Sequence, residues 1–208
     1  MPDSGRHSDT RRHILRAALK HFANSGYAAA SVQRIVDDAR VSKPALYYHF
    51  KDKAGLYQAL VNEAFDREFD LVRQAAARAS SIHEQLVEIL TVLFDYFSTN
   101  RELVRIALAT LFASPGELPK NLRYMDRCER NFEFIHGLMK QAVRRGELDG
   151  RFQSRELAFG FDGQANVHLM AHLVMPTFRL DRRTARRIVG LFLGGAAGKR
   201  KPVSRRQK

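Results

Sequence analysis

Residues 31–56 read SVQRIVDDARVSKPALYYHFKDKAGL, and this stretch decides the fold of the N-terminal part of the chain. Ser31 is a residue type favoured as a helix N-cap, and an amphipathic run of about two turns follows it. Ser42 is a second N-cap candidate, and Pro44 suits the first turn of the next helix. Two short helices joined by a tight turn, each with an apolar side, are typical of a helix-turn-helix.

Working outward, a helix over residues 10–25 is predicted before this stretch, with Asp9 as its N-cap and Gly26 as its C-cap. After it, Asp52 can cap a longer helix that begins near Lys53 and continues into the rest of the chain. The predicted three-helix core contains Ile14, Leu19, Phe22, Val32, Ile35, Val36, Ala39, Val41, Leu46, Tyr47 and Phe50.

The rest of the chain also favours helices, because period-2 alternation and hairpin turns are scarce. Five further helices are predicted near residues 82–97, 101–113, 118–145, 154–174 and 181–194. The fold class is therefore all-α, with about nine helices: an N-terminal helix-turn-helix domain joined to a larger helical domain. We expect a disordered arm at 1–8, the helix-turn-helix domain (the reader) at 9–55, the helical domain (the body) at 56–196 and a basic disordered tail at 197–208.

Composition restricts the class of protein further. The single cysteine, Cys128, excludes an intramolecular disulfide and a paired cysteine metal site. No stretch approaches the ~20 apolar residues of a membrane span, so we expect a cytoplasmic protein with no membrane partner. The net charge of +13 lies mostly at the two ends: residues 1–60 carry ten basic and five acidic residues, and residues 199–208 carry six basic and no acidic residues. Basic ends on a nearly neutral body suggest a polyanionic partner such as nucleic acid, although solubility alone also accounts for a charge run.

The outward side of the two short helices is expected to be basic and aromatic, with no carboxylate. Such a surface suits phosphates and base edges of double-stranded DNA. The outward residues are Gln33, Arg34, Ser42, Lys43, Pro44, Tyr48 and His49.

At these residues the chain resembles the TetR family of repressors, whose reader has a pattern close to Thr-x-x-x-Ile-Ala-x-x-Ala-Gly-Val-Ser-x-Gly-x-Leu-Tyr-x-His-Phe-x-x-Lys-x-x-Leu. The match is gap-free over residues 31–56, and the run from Leu46 through Phe50 to Lys53 is its most specific part. The chain departs from the pattern at Arg40, which stands where the family usually has glycine. Arg40 must either accept a positive φ or turn the chain differently. Ser31 replaces the usual Thr and caps comparably.

The resemblance implies that the third helix lies in the major groove of DNA and that Lys53 meets a phosphate. Lys43 then suits guanine, Pro44 and Tyr48 suit thymine methyl groups, and Tyr47 and His49 suit phosphates, with Tyr47 equally able to be part of the core. Second-rank phosphate contacts are assigned to Gln33, Arg34 and Ser42. The full set of DNA-binding candidates is Ser31, Gln33, Arg34, Ser42, Lys43, Pro44, Tyr47, Tyr48, His49 and Lys53.

In the body, aromatic and methionine side chains at helical spacing are either core or the lining of an apolar pocket. The resemblance implies an effector pocket among the fourth to eighth helices, and the candidates for its lining are Tyr96, Tyr124, Cys128, His136 and His168. His168 and His172 stand at i and i+4, a spacing able to hold a metal, but no third ligand is evident, and we expect no metal or other cofactor. No catalytic motif is present, so the chain is not expected to be an enzyme.

The last two helices carry apolar stripes, and the resemblance implies that they form a four-helix bundle between two subunits. The function expected is that of a homodimeric repressor that binds a palindromic operator and releases it when a small apolar or amphipathic ligand binds. One alternative is a constitutive DNA-binding architectural protein without an effector. Another is a helical enzyme or scaffold in which the helix-turn-helix is only structural.

Overall fold

The computed structural model describes residues 4–114, 116–175 and 177–194, with only the backbone described for residues 4–8. These residues form nine α-helices and no strand, which confirms the all-α prediction. The helices are α1 Ser4–Ala29, α2 Val32–Ala39, α3 Lys43–Phe50, α4 Lys53–Ala76, α5 Ile82–Thr99, α6 Arg101–Leu111, α7 Met125–Arg144, α8 Ser154–Val174 and α9 Arg182–Gly194.

Three predicted N-caps position the short helices of the reader. The Ser31 hydroxyl accepts a hydrogen bond from the backbone N of Arg34 (3.5 Å), and the Ser42 hydroxyl accepts one from Ala45 (3.3 Å). The Asp52 carboxylate accepts one from Gly55 (2.6 Å) at the start of α4. Each cap satisfies a backbone donor that the first turn of a helix leaves unpaired, so the three helices begin where the sequence predicts.

Helix α1 is longer than predicted. It begins at Ser4, so the prediction of a disordered arm is wrong for residues 4–8, while residues 1–3 and the tail at 197–208 lie outside the described residues. Asp9 is inside the helix and pairs with Arg12 instead of capping it. Adding a turn to an existing helix forms one hydrogen bond per residue fixed, so no cap at Asp9 is needed. Gly26 interrupts the helix with a φ of 72°, as its C-cap assignment requires, and one more turn follows to Ala29.

The reader has its own hydrophobic core between α1, α2, α3 and the first half of α4. Ile14, Ile35, Leu46 and Leu56 are fully buried in it. Tyr47, which was expected in this core, is 44% exposed. Phe22 on α1 and Phe50 at the end of α3 are buried as predicted, and Tyr57 on α4 is a further buried aromatic residue that the sequence analysis did not include. The ring of Tyr57 packs edge-on against Phe22, with 5.0 Å between the ring centroids.

The body packs α5 against α4 and α9, and α7 against α8. Its core includes Leu86, Leu90 and Phe94 of α5. The prediction that α7 begins near residue 118 is wrong, because the helix begins at Met125. The preceding segment docks on α4 through one side chain: Gln58 accepts from the backbone N of Arg123 (2.7 Å) and donates to its carbonyl (2.9 Å). With both backbone groups of Arg123 satisfied in this way, the segment has less to gain from a helical conformation.

Helix α6 belongs to both parts of the molecule. Ile106 is buried in the reader core, and Leu103 packs against the same core. Val104, which lies between these two residues in the sequence, is buried in the core of the body. Among the described helices, none has both the length and the apolar composition needed to cross a membrane.

Candidate nucleic-acid interface and ligand cavity

Helix α3 is anchored to the reader by one side and presents the other side to solvent. Leu46 and Phe50, four residues apart, are buried in the reader core. Lys43, Pro44 and Tyr48 are exposed, and Tyr48 is 76% exposed. The structure therefore brings the main predicted base-reading residues onto one open surface.

The turn between α2 and α3 contains one residue with a left-handed backbone conformation. Arg40 has φ 54° and ψ 45°, so it adopts the positive φ that glycine usually supplies in this turn. Its backbone N donates to the carbonyl of Asp37 (3.1 Å), and the backbone N of Val41 donates to that of Val36 (3.0 Å). These two bonds close the end of α2. Arg40 is itself an exposed residue and lies just before α3.

Three of the DNA-binding candidates have hydrogen-bond partners inside the protein. The Gln33 amide donates to Asp37 (2.8 Å), which lies one turn away on the same side of α2. The prediction of a face without carboxylates is therefore wrong, because residues at i and i+4 share a helix face. Ser31 and Ser42 use their hydroxyls as helix caps. Gln33 can reach DNA only by giving up its bond to Asp37.

The remaining DNA-binding candidates differ in solvent exposure. Tyr47 and Arg34 are exposed, and His49 is half-buried with its ring against Tyr48 (5.3 Å between centroids). Lys53 is tied into the reader: its ammonium donates to the carbonyl of Ala28 (2.9 Å) and lies 4.8 Å from the ring centroid of Tyr27. Burial lowers the pKa of Lys53. In this structure Lys53 therefore joins α4 to the end of α1.

The body contains a cavity of about 280 Å³ between α4, α5, α6, α7 and α8. Its walls are mainly aliphatic and phenylalanine side chains, and its polar members are Glu68, Asp162, Cys128, Asn131 and Asn166. Cavities of this kind, apolar with a few polar groups, are the usual form of a small-molecule site.

Of the five residues proposed to line an effector pocket, only Cys128 lines this cavity. Tyr124 packs against the reader core, and Tyr96 lies beside the core of the body. His136 bonds to Glu133 (3.0 Å) and Ser154 (3.1 Å) at the α7–α8 contact. These three side chains are occupied in holding helices together, which explains why aromatic and polar character alone did not locate the cavity.

The two histidines at i and i+4 of α8 are also tied to backbone carbonyls. His168 bonds to the carbonyl of Gln164 (2.6 Å), and His172 bonds to that of Phe178 (2.8 Å). Across the described residues, three or more His, Cys, Asp or Glu side chains nowhere gather closely enough to hold a metal ion. His172 thus ties the loop after α8 to the helix, and the ring of His168 lies 5.6 Å from that of Phe178 in the same loop.

Sequence reasoning missed Glu68 and Asp162. A signal was available, because each acidic residue falls on an apolar helix stripe: Glu68 lies between Phe65 and Phe69, and Asp162 follows Phe161. An acidic residue on a buried stripe is unusual unless it is paired or functional. It could not be recognised without knowing which helix faces enclose space.

Comparison with known proteins agrees with this architecture. Residues 14–60 match the sequence pattern of the bacterial regulatory proteins of the tetR family. The HTH-type transcriptional activator FasR of Mycolicibacterium smegmatis is 34% identical over 98 residues, covering 47% of this chain and 45% of FasR. The uncharacterised HTH-type regulator YuxN of Bacillus subtilis is 30% identical over 168 residues, covering 78% of this chain and 54% of YuxN. The chain thus spans about half the length of these two relatives.

A solved structure shares the fold over nearly the whole chain. The transcriptional regulator FadR of Bacillus subtilis, in complex with stearoyl-CoA, superimposes with a TM-score of 0.74 at 16% identity, covering 89% of this chain and 99% of that one. The reader and the helical body together have the architecture of a helix-turn-helix transcriptional regulator. In residues 14–60 the chain carries the helix-turn-helix domain of the TetR family of bacterial regulatory proteins.

Proposed function

We propose that this protein is a homodimeric regulator that binds a palindromic DNA operator and releases it when a small molecule occupies the cavity of the body. The observation that carries the DNA-binding part is the orientation of α3. Leu46 and Phe50 fix it to the reader core, and Lys43, Pro44 and Tyr48 project together into solvent. Amine, aromatic and apolar groups on one helix are suited to guanine edges, phosphates and thymine methyl groups in a major groove.

A dimer is supported by apolar side chains left open on the last two helices. Phe159, Val167 and Val174 of α8 are 58%, 57% and 80% exposed, and Leu191 of α9 is 53% exposed. Positions 159, 167 and 174 recur at helical spacing along one side of α8, so they form a stripe rather than scattered residues. Packing this stripe against a second copy would bury it in a two-fold bundle and set two readers at a fixed separation.

Release by an effector is supported by the position of α6. Val104, Leu108 and Leu111 line the cavity, whereas Ile106 and Thr110 are buried toward the reader. One helix therefore forms both a wall of the cavity and part of the reader support. A ligand that moves α6 must change the packing of the reader, and its binding energy can then shift the equilibrium between two reader positions.

The cavity also weighs against the alternative of a constitutive architectural protein. Such a protein has no use for an open apolar space among five helices, since a filled core would be more stable. The third alternative, a helix-turn-helix with only a structural role, predicts that substitutions on the solvent side of α3 leave DNA binding unchanged.

The experiment that tests the proposal is selection of bound duplexes from a randomised DNA pool by the full chain. It is run at near-physiological salt with excess nonspecific competitor, because basic residues alone bind any DNA at low salt. We expect enrichment of a palindrome whose half-sites are about one helical turn, or a multiple of it, apart. If no sequence is enriched, the proposal of a sequence-specific regulator is wrong.

Two variants then locate the interface. Lys43→Ala and Tyr48→Ala should each weaken binding to the selected operator by roughly tenfold or more, which is the size of one lost base contact. Lys140→Ala, which removes the same charge from an exposed position on α7, is the control and should bind as the parent does. Equal binding by all three variants would support a structural role for the motif.

We further propose that operator binding represses transcription. A reporter gene placed behind the selected operator should rise in output when the gene for this protein is deleted. A fall in output would make the protein an activator, which is the role named for FasR.

A further inference from the structure

The cavity of the body is mainly apolar, but two acidic side chains also line it. Glu68 enters it from α4 and Asp162 from α8, and its other polar members are uncharged. No Lys, Arg or His is found among the described residues that line it. A ligand in this space would therefore meet two carboxyl groups and no positive charge.

Neither carboxyl group has a hydrogen-bond or ion-pair partner among the described residues. The nearest guanidinium, that of Arg130 on α7, is directed elsewhere: it donates to Asp66 (2.8 Å) and to the carbonyl of Phe65 (3.3 Å). It also lies 4.3 Å from the ring centroid of Phe69. Arg130 thus stabilises the α4–α7 contact and forms no hydrogen bond or ion pair with the cavity carboxyls.

The pKa of Glu68 is raised to about 7, mainly by burial and also by the charge of Asp162, with the charge of Arg130 opposing the rise. Burial raises the pKa of Asp162 to about 6. The groups near Glu68 on the surrounding helices are Asp162 of α8, Cys128 and Arg130 of α7 and Tyr96 of α5, and α6 contributes only apolar side chains. Ionised carboxylates in such surroundings lack the solvation or partner that they have in water.

Aromatic rings surround these carboxyls. Phe65, Phe69, Phe97, Phe132 and Phe161 all line the cavity. The faces of aromatic rings attract cations, and aromatic cages combined with acidic groups are suited to quaternary ammonium ions in particular. An anionic or strongly hydrated ligand would instead be repelled by the carboxylates and dehydrated without compensation.

We propose that the effector of this protein is a cationic amphipathic molecule, an alkylated ammonium with an aromatic or aliphatic body, whose charge is held between Glu68 and Asp162. This proposal rests on the proposed function only in calling the ligand an effector. The binding itself is a property of the cavity and is measured without DNA. An acyl-CoA, the ligand present in the FadR structure, is a poor match for the acidic cavity of this chain.

The test compares how tightly two probes of equal shape bind to the full-length protein. Binding is measured by calorimetry and by the shift in melting temperature. Phenyltrimethylammonium carries the charge, and tert-butylbenzene replaces its nitrogen with carbon. We expect the cation to bind about tenfold or more tightly than the neutral probe at about pH 8. Its affinity should fall as the pH is lowered to about 5.5, because both carboxyls then take up protons. Equal affinity for the two probes would overturn the proposal.

Substitution of the carboxyls identifies the site. Glu68→Gln and Asp162→Asn should each lower the affinity for phenyltrimethylammonium by about tenfold, while the affinity for tert-butylbenzene stays the same or rises. Glu129→Gln is the matched control, since it removes one negative charge from an exposed position of α7. If Glu129→Gln weakens cation binding as much as Glu68→Gln does, the effect is general surface attraction and the proposed site is wrong.

The remaining outcomes separate this inference from the proposed function. Sequence-specific DNA binding without carboxylate-dependent cation binding refutes the inference alone. Carboxylate-dependent cation binding without a selected operator refutes the regulator and leaves the cavity assignment standing. Binding of stearoyl-CoA that is indifferent to Glu68→Gln and Asp162→Asn would also overturn the inference, since the cavity would then accept an acyl ligand.

Discussion

A single buried hydrogen bond joins α6 to the reader, and its direction can be worked out from the structure. The hydroxyls of Tyr57 and Thr110 are 2.9 Å apart, and both residues are only 2% exposed. Thr110 Oγ1 also donates to the carbonyl of Ile106 (2.7 Å). A threonine hydroxyl has one proton, so Tyr57 must be the donor in the bond between the two side chains.

Because Tyr57 is the donor, substitutions at Tyr57 and at Thr110 should lower the stability of the protein by different amounts. Thr110→Val keeps the shape of the side chain but leaves the Tyr57 hydroxyl buried without an acceptor, which costs about 1–3 kcal/mol of stability. Tyr57→Phe removes the donor and leaves Thr110 bonded to Ile106, so it costs about 0.5–1.5 kcal/mol. The double variant has no unpaired group and should be nearly as stable as Tyr57→Phe alone.

The free energy of unfolding is measured by urea denaturation at one fixed protein concentration, because dimerisation would make it concentration-dependent. Thr91→Val is the matched control. Thr91 donates to the carbonyl of Val87 (2.7 Å) in the same way within α5, and the structure gives it no tyrosine partner. If Thr110→Val is no more destabilising than Thr91→Val, or if adding Tyr57→Phe fails to restore stability, the assigned direction is refuted.

Three further predictions concern single positions. Arg40→Gly should stabilise the protein by about 1 kcal/mol by relieving the left-handed backbone, and should reduce the salt dependence of operator binding by about one ion if the guanidinium meets a phosphate. Gly55→Ala should destabilise the protein by about 1–3 kcal/mol, because a Cβ there would clash with the carbonyl oxygen of Phe50. Gly137→Ala, with open space around its Cβ, should instead stabilise the protein by about 0.5–1 kcal/mol. Glu68 has its pKa raised to about 7, so the ligand-free protein loses stability as the pH rises from the unfolded pKa of about 4.5 to about 7. Glu68→Gln should therefore raise the free energy of unfolding by up to about 3 kcal/mol at about pH 8 and leave it unchanged below about pH 4, and an equal effect at both pH values would contradict the raised pKa.

Local signals predicted the reader well because its helices are short and each is bounded by residues with a fixed physical role. Ser31, Ser42 and Asp52 cap the helices through backbone donors three residues ahead, which depends only on sequence distance. The positive φ of Arg40 was likewise one of two outcomes stated for that position. The family pattern over the same residues pointed to the same helices.

Local signals were insufficient where the partner of a residue is distant along the chain. The segment before α7 contains a plausible helix start, yet the amide of Gln58, 65 residues earlier, binds it in a non-helical form. Asp9 is a residue type typical of an N-cap, but it lies within α1. Nothing at Asp9 itself indicates that the helix begins earlier, at Ser4. At Gln58 a distant interaction decided the outcome, whereas at Asp9 the continuation of α1 toward Ser4 did.

The sequence by itself therefore determined that this chain is helical, where the reader lies and which side of α3 faces outward, because caps, turns and helical periodicity act over a few residues. Only the tertiary structure decided that α6 serves both the cavity and the reader, and that Tyr57 rather than Tyr47 fills the reader core. It also brought Glu68 and Asp162, which are 94 positions apart, into one cavity. Such sites depend on how helix faces enclose space, and no pattern along a single helix specifies which faces meet.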